Sequence, residues 1–173
     1  GQINAVTPGD LGEHPLVPIR VERDGASSNS FTLTTHTISP GIFLAGAYPV
    51  AINSDGTLNS ADSPAPPGSA VTVFATGVGA FSPPLADGEI APLEPPFPSA
   101  PGIAEVQIEA SFVALLEPRA APITYAGAAP GVVAGLAQIN FIIPMETPAG
   151  TWELKLKTAA GELSGPALLA VGP

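Results

Sequence analysis

Cysteine is absent from this chain. That removes a disulfide scaffold, a thiolate zinc site and a cysteine nucleophile. Basic residues are scarce, 5 against 15 acidic, and the net charge is −10 at pH 7. A surface of that sign repels phosphate backbones and anionic lipid, so nucleic-acid binding and membrane-surface roles are set aside. No apolar run approaches the roughly 20 residues that span a bilayer, so no membrane insertion is expected. Charged residues make up only 12% of the chain, and no stretch keeps a 3.6-residue apolar period. Long exposed helices and coiled coils are excluded on those grounds. Aromatic residues are few and tryptophan occurs once, at Trp152. Stacking platforms for sugars are therefore sparse.

What the chain has is proline and glycine, 22 and 19 of 173 residues, beside 45% hydrophobic residues. That much apolar side chain argues against disorder. Together these features describe many short strands joined by turns. Period-two alternation marks Val17-Pro18-Ile19-Arg20-Val21-Glu22, Phe31-Thr32-Leu33-Thr34, Ala104 to Glu109 and Trp152 to Lys157. Each reads as an antiparallel strand with one apolar and one wet face. Pro18 limits its segment to an edge strand or a strand start. Ser69 to Thr76 and Ile139 to Ile143 are more continuously apolar, as strands buried on both faces are. Asp24-Gly25, Asp55-Gly56, Asp87-Gly88 and Ala160-Gly161 lie between extended segments and read as turns. Pro64-Ala65-Pro66-Pro67-Gly68 and Glu94-Pro95-Pro96-Phe97-Pro98 read as connectors.

The chain repeats itself. Gln2-Ile3-Asn4-Ala5-Val6-Thr7-Pro8 matches Gln138-Ile139-Asn140-Phe141-Ile142-Ile143-Pro144. Both copies continue through a glycine-containing bend into an alternating strand, Val17 to Val21 and Trp152 to Leu156. Both then turn, at Gly25 or Gly161, into a final apolar strand, Phe31 to Leu33 and Ala167 to Val171. This is one supersecondary unit used twice. Ser69 to Thr76, Ala104 to Leu115 and Pro122 to Tyr125 precede the second copy and complete a sandwich with it. Nothing comparable precedes the first. The expected organisation is a partial sandwich over residues 1–37, a Pro/Gly-rich connector with a β-hairpin over 38–68, and a complete sandwich over 69–173. Three strands with one apolar face leave that face and their edges unpaired in water. Residues 38–68, a preceding domain or another copy of the chain must cover them. The chain opens at Gly1 with neither Met nor a signal segment, which reads as a processed or partial chain.

Motifs of catalysis are missing. His14 and His36 are the only histidines, and no His-x-x-x-His or Gly-x-Ser-x-Gly occurs, so zinc hydrolysis and a nucleophile elbow lack support. Thr76-Gly77 resembles part of an aspartic-protease loop, but Ala75 stands where the carboxylate is needed. The Gly77-Val78-Gly79 bend opens no dinucleotide-binding helix. Glu105, Glu109 and Glu117 offer carboxylates for glycoside hydrolysis, yet Glu105 and Glu109 share one strand face rather than flanking a cleft. Lys155 and Lys157, the only lysines, sit on a wet face, whereas an isopeptide bond needs a buried lysine. Asp55, Asn59 and Asp62 are oxygen ligands in one loop and weak candidates for structural calcium. The competing reading is a polar turn with Asp55-Gly56 at its tip.

Ser39-Pro40-Gly41-Ile42-Phe43, Ala51 to Ser60, Pro64 to Ser69, Ala75-Thr76-Gly77-Val78-Gly79, and Tyr125-Ala126-Gly127 through Pro130-Gly131 to Gln138-Ile139-Asn140 carry a resemblance. In that order and over nearly the whole chain, they resemble the Solibacter-type uncharacterised C-terminal domain of acidobacterial secreted proteins. The resemblance implies export to the bacterial cell surface or exterior and immunoglobulin-like β-sandwich modules. It supplies no catalytic residue and no cofactor.

The fold class expected is all-β, with antiparallel immunoglobulin-like sandwich modules, one partial and one complete. The function expected is non-enzymatic: a subunit of an extracellular filament or surface array that adds its N-terminal strands to a neighbouring copy. Gln2, Ile3, Val6, Val17, Ile19, Val21, Phe31 and Leu33 would form that contact. A carbohydrate- or matrix-binding module of a larger secreted protein is the alternative, with adjacent domains as its partners.

Overall fold

Short apolar–polar alternations broken by glycine and proline can satisfy their backbone only by pairing across strands. The computed structural model, which describes residue 3 and residues 5–110 and 118–173, is all-β. Its first four strands are β1 (Leu16–Ile19), β2 (Glu22–Arg23), β3 (Ala26–Ser27) and β4 (Phe31–Thr34). Then come β5 (Gly41–Ile42), β6 (Leu44–Ala45), β7 (Tyr48–Pro49), β8 (Ala51–Asn53) and β9 (Ala70–Thr76). The last six are β10 (Ile103–Glu109), β11 (Arg119–Ala121), β12 (Ile123–Ala128), β13 (Ala137–Ile142), β14 (Gly150–Thr158) and β15 (Ala167–Val171). The helical content among the described residues is a 3-10 turn, Gly9–Glu13.

Two sheets form the body. One has the order β11-β10-β14-β15; the other runs β12-β13-β9-β5, with β8 also paired to β9. All strand pairings are antiparallel. Alternation decides what lies between the sheets. Val71, Val73 and Ala75 of β9 and Ile139 and Phe141 of β13 meet Val106 and Ile108 of β10. Trp152, Leu154 and Leu156 of β14 and Leu169 of β15 complete the same core. Trp152 faces inward, as its alternation requires, and donates its indole N–H to the Pro148 carbonyl at 2.9 Å. β9 corrects one expectation: it is buried on one face only, with Thr72 and Phe74 partly exposed on the other. In a two-layer arrangement each sheet has a single covered face.

Residues 38–68 do more than connect. β8 pairs with β9 in the register Ala51↔Val73 and Asn53↔Val71, and β5 pairs with its other end in the register Gly41↔Thr76. Ala51 and Ala65 belong to the core, so the folded body includes residues before 69. The same stretch closes the outer edge of β15. The Leu168 amide donates to the Ala47 carbonyl, the Ala65 amide to Ala170 and the Gly172 amide to Ala65. Asn59 finishes the seal. Its carboxamide accepts from the Ala170 amide and donates to the Ala170 carbonyl, both at 2.8 Å, in the way a paired strand would. The far edge of β12 is closed likewise, by Ala100 N–H to Ala126 and Ala128 N–H to Pro98. These seals close one edge of each sheet, where open backbone groups would invite unwanted strand pairing.

Residues 16–34 form a ribbon set apart from the two sheets, and ahead of it the Gly9 amide donates to the Asp87 carboxylate at 2.9 Å. β1 and β4 pair in the register Val17↔Leu33 and Ile19↔Phe31. The hairpin between them tightens at β2 and β3, where Asp24 and Gly25 both have positive φ, the two-residue turn that Asp-Gly favours. The strand expected over residues 2–7 is not formed at the described positions among them. A strand needs a paired edge, and among the described residues this segment meets no partner strand. The ribbon joins the body at one end of the sheets. The Ser39 amide donates to the Gly77 carbonyl, and a Cβ at Gly77 would collide with the Ser39 carbonyl. β15 ends at the opposite end of the body, where Val171 pairs with Gly150.

Replacing Asn59 with alanine strands a buried Ala170 amide. It is expected to lower unfolding stability by about 2 kcal/mol, measured by urea denaturation against wild type. A loss below about 0.5 kcal/mol would mean that water takes over both bonds.

Candidate assembly interface

Directly paired residues in an antiparallel ribbon point to the same side. Val17, Ile19, Phe31 and Leu33 therefore share one face, and Val21 extends it by one more period. That face is uncovered: Phe31 is 67% exposed, Val21 45% and Ile19 39%, with Val17 and Leu33 half-buried. The opposite face carries Pro18, Thr32 and Thr34 together with Leu16, which is itself 65% exposed. Ile3 and Val6 are exposed as well, although a Cβ on Gly135 would touch Val6. Gln2 lies outside the described residues. The residues expected to form an assembly contact thus divide into five that the ribbon brings together and two that lie apart from it in the chain. An amphipathic ribbon with its apolar side in water is marginal unless something covers it.

Copy 2 of the repeat shows what such a side does when covered. β14 and β15 pair in the register Trp152↔Leu169 and Leu154↔Ala167, which matches Val17↔Leu33 and Ile19↔Phe31 position for position. In copy 2 the corresponding face is sealed, with Trp152, Leu154 and Leu169 in the core. The same local plan is covered once and bare once. The signal for this was in the sequence, in the repeat itself, but its register was not.

The other candidate residues have structural employment. Asn53 and Asn59 are buried and bonded to each other, Asn59 Nδ2 donating to Asn53 Oδ1 at 3.0 Å. Asn53 Nδ2 donates onward to Thr57 Oγ1 and to the Ser63 carbonyl. Asn59 Oδ1 accepts the Ala170 amide and turns inward rather than towards a cation. Asp55 accepts from the Thr57 amide at 2.9 Å and hydroxyl at 2.7 Å, and these bonds hold its carboxyl below the usual range. Asp62 is exposed. The loop is therefore organised by its own hydrogen bonds. Among the described residues no three His, Cys, Asp or Glu side chains converge.

The carboxylates of β10 form a cross-strand ladder with the lysines of β14. Lys155 Nζ lies 2.7 Å from Glu109 and 3.2 Å from Glu153; Lys157 lies 3.6 Å from Glu105. Glu109 and Glu153 are directly opposed across the strands, and Lys155 between them relieves the repulsion. Glu117 lies outside the described residues. His14 and His36 are both exposed.

A dent of about 210 Å³ is lined by Ala45, Tyr48, Pro49, Val50, Leu58, Asn59 and Ser60. It has few of the convergent polar groups that orient a small substrate. No family model, curated protein or solved structure matches this chain.

The hydrogen bond to Glu109, opposed by desolvation and aided by Glu153, raises the Lys155 ammonium above the ordinary lysine value of 10.5. A raised lysine stabilises the fold fully below the unfolded value and loses that contribution as pH climbs through the folded one. Lys155→Met is therefore expected to cost about 1–2 kcal/mol at pH 7. Its deficit against wild type should narrow above the ordinary lysine range in urea melts. A deficit that stays constant through that range would assign the loss to packing alone.

Proposed function

We propose that this chain is a non-enzymatic, exported structural protein that assembles with copies of itself through its N-terminal ribbon. The observation that carries the reading is the contrast between ribbon and body. The apolar face of β1 and β4 lies in water, while the edges of β15 and β12 are closed by hydrogen bonds. A body with one edge of each sheet closed, beside a half-unit with an uncovered apolar face, fits strand complementation.

Geometry supports a head-to-tail arrangement. The ribbon leaves the body beside Gly77, and β15 ends at the other pole. A contact from one pole to a different surface of the next copy is heterologous and propagates into a filament. On this reading the two-sheet body is an immunoglobulin-like sandwich, and the ribbon is the back half of a second one. The resemblance to acidobacterial secreted C-terminal domains fits an extracellular place, and no cofactor is needed. The same polar layout also suits a spacer or binding module in a longer secreted protein, with a preceding domain covering the ribbon.

Electron microscopy of native material, paired with mass determination in solution, separates the two. Filaments are expected, with about one chain per repeat. Ile19→Lys and Phe31→Lys should abolish them without moving the unfolding midpoint of the body by more than about 0.5 kcal/mol, since both residues are exposed. Monodisperse monomers of wild type under the same conditions would reject self-assembly and favour the module.

A further inference from the structure

The repeat allows the open edge of β1 to be read from its covered counterpart. The shared register equates Val17 with Trp152, Ile19 with Leu154 and Arg20 with Lys155. β14 has β15 on one side and β10 on the other. β1 has β4 on the matching side and, among the described residues, no strand on the other. The backbone phase agrees as well. The Thr35 amide bonds to the Pro15 carbonyl, so odd residues of β1 bond to β4 and the even ones, Pro18 and Arg20 among them, turn their backbone to the open side.

Charge then identifies what belongs there. In copy 2, Lys155 holds Glu153 two residues away on its own strand and Glu109 on β10. In copy 1, Arg20 holds Glu22 two residues away on its own side of the ribbon at 2.9 Å. Its side chain is otherwise 59% exposed. The in-strand half of the bridge is built and the cross-strand half is vacant.

We infer that the open edge of β1 receives an antiparallel acidic amphipathic strand, apolar residues alternating with carboxylates as in β10, and that Arg20 selects it by pairing with a carboxylate. The inference rests on the assembly reading in taking the ribbon for a docking element, and the strand comes from a neighbouring polypeptide chain. In the β10 register, residues matching Ile108 and Val106 lie beside Ile19 and Val21 and extend the apolar face. The residue matching Glu109 sits across from Pro18, diagonal to Arg20. The residue matching Glu105 lies across from Glu22, where Arg20 bridges the two acids as Lys155 bridges Glu109 and Glu153. Pro18 has no N–H to give, so the edge offers one ladder bond fewer. That blunts indiscriminate pairing and leaves charge to discriminate.

The test uses the full chain and a peptide of residues 102–110, which carries the β10 sequence, with hydrogen exchange and peptide binding as readouts. Slower exchange is expected across residues 16–21 and not across 31–34. Arg20→Glu should weaken binding about tenfold or more, and Arg20→Lys should retain it. A peptide with lysine in place of Glu105 and Glu109 should restore binding to the Arg20→Glu chain. On assembled material, excess of the native peptide should release subunits. Protection at residues 31–34 or at β14, affinity indifferent to Arg20→Glu, or assemblies that resist the peptide while residues 16–21 exchange freely would each overturn the inference. Assembly lost in Phe31→Lys with peptide binding intact would separate this charge rule from the contact made by the apolar face.

Discussion

A β-sheet cannot end without leaving a row of backbone N–H and C=O groups, and the disposal of those groups governs this molecule. In the body the disposal is complete on two flanks. Asn59 reaches from the loop after β8 to bond both the N–H and the C=O of Ala170. Ala47 and Ala65 take the neighbouring groups of β15. The carboxamide of asparagine copies a peptide group, so one side chain does the work of a short strand. The stretch that supplies it also fills the core with Ala51 and Ala65, which ties edge closure to packing.

The ribbon sets the opposite condition beside it. β1 and β4 reproduce the β14–β15 register, yet among the described residues no second sheet lies over their apolar side. A covered side chain the size of valine or phenylalanine is worth about 1.5–3 kcal/mol. On the assembly reading, the five residues of that side, three of them exposed and two half-buried, are a store of association energy that the body does not tap. Function, on this view, resides in an incompleteness rather than in a pocket.

Charge is used sparingly and in the same idiom throughout. Lys155 sits between two opposed carboxylates on β10 and β14, and it is partly screened from solvent, which strengthens each contact. Arg20 stands in the matching position with one carboxylate in hand. With five basic residues in the chain, one stands at each of these positions, and on the strand-pairing inference each would give specificity that hydrophobic alternation alone leaves degenerate.

Sequence alone determined the all-β class, the alternating core of β10 and β14, the inward Trp152 and the Asp24-Gly25 hairpin turn. Each of these follows from the period of side-chain direction or the φ demands of glycine, which are local properties. It also revealed the repeat, and through it the residues of the bare face. Tertiary structure decided the rest. That residues 38–68 enter the sheet through β5 and β8, that Asn59 seals Ala170, and that β9 is covered on one side only depend on contacts between distant segments. Asn59 and Ala170 stand 111 positions apart, and no local pattern records which edge a polar loop will close. The register of β1 on β4 belongs to the same class, because a hairpin's pairing is set by its turn and tightening. Local periodicity specifies which way a side chain points; only the folded sheet specifies what is there to meet it.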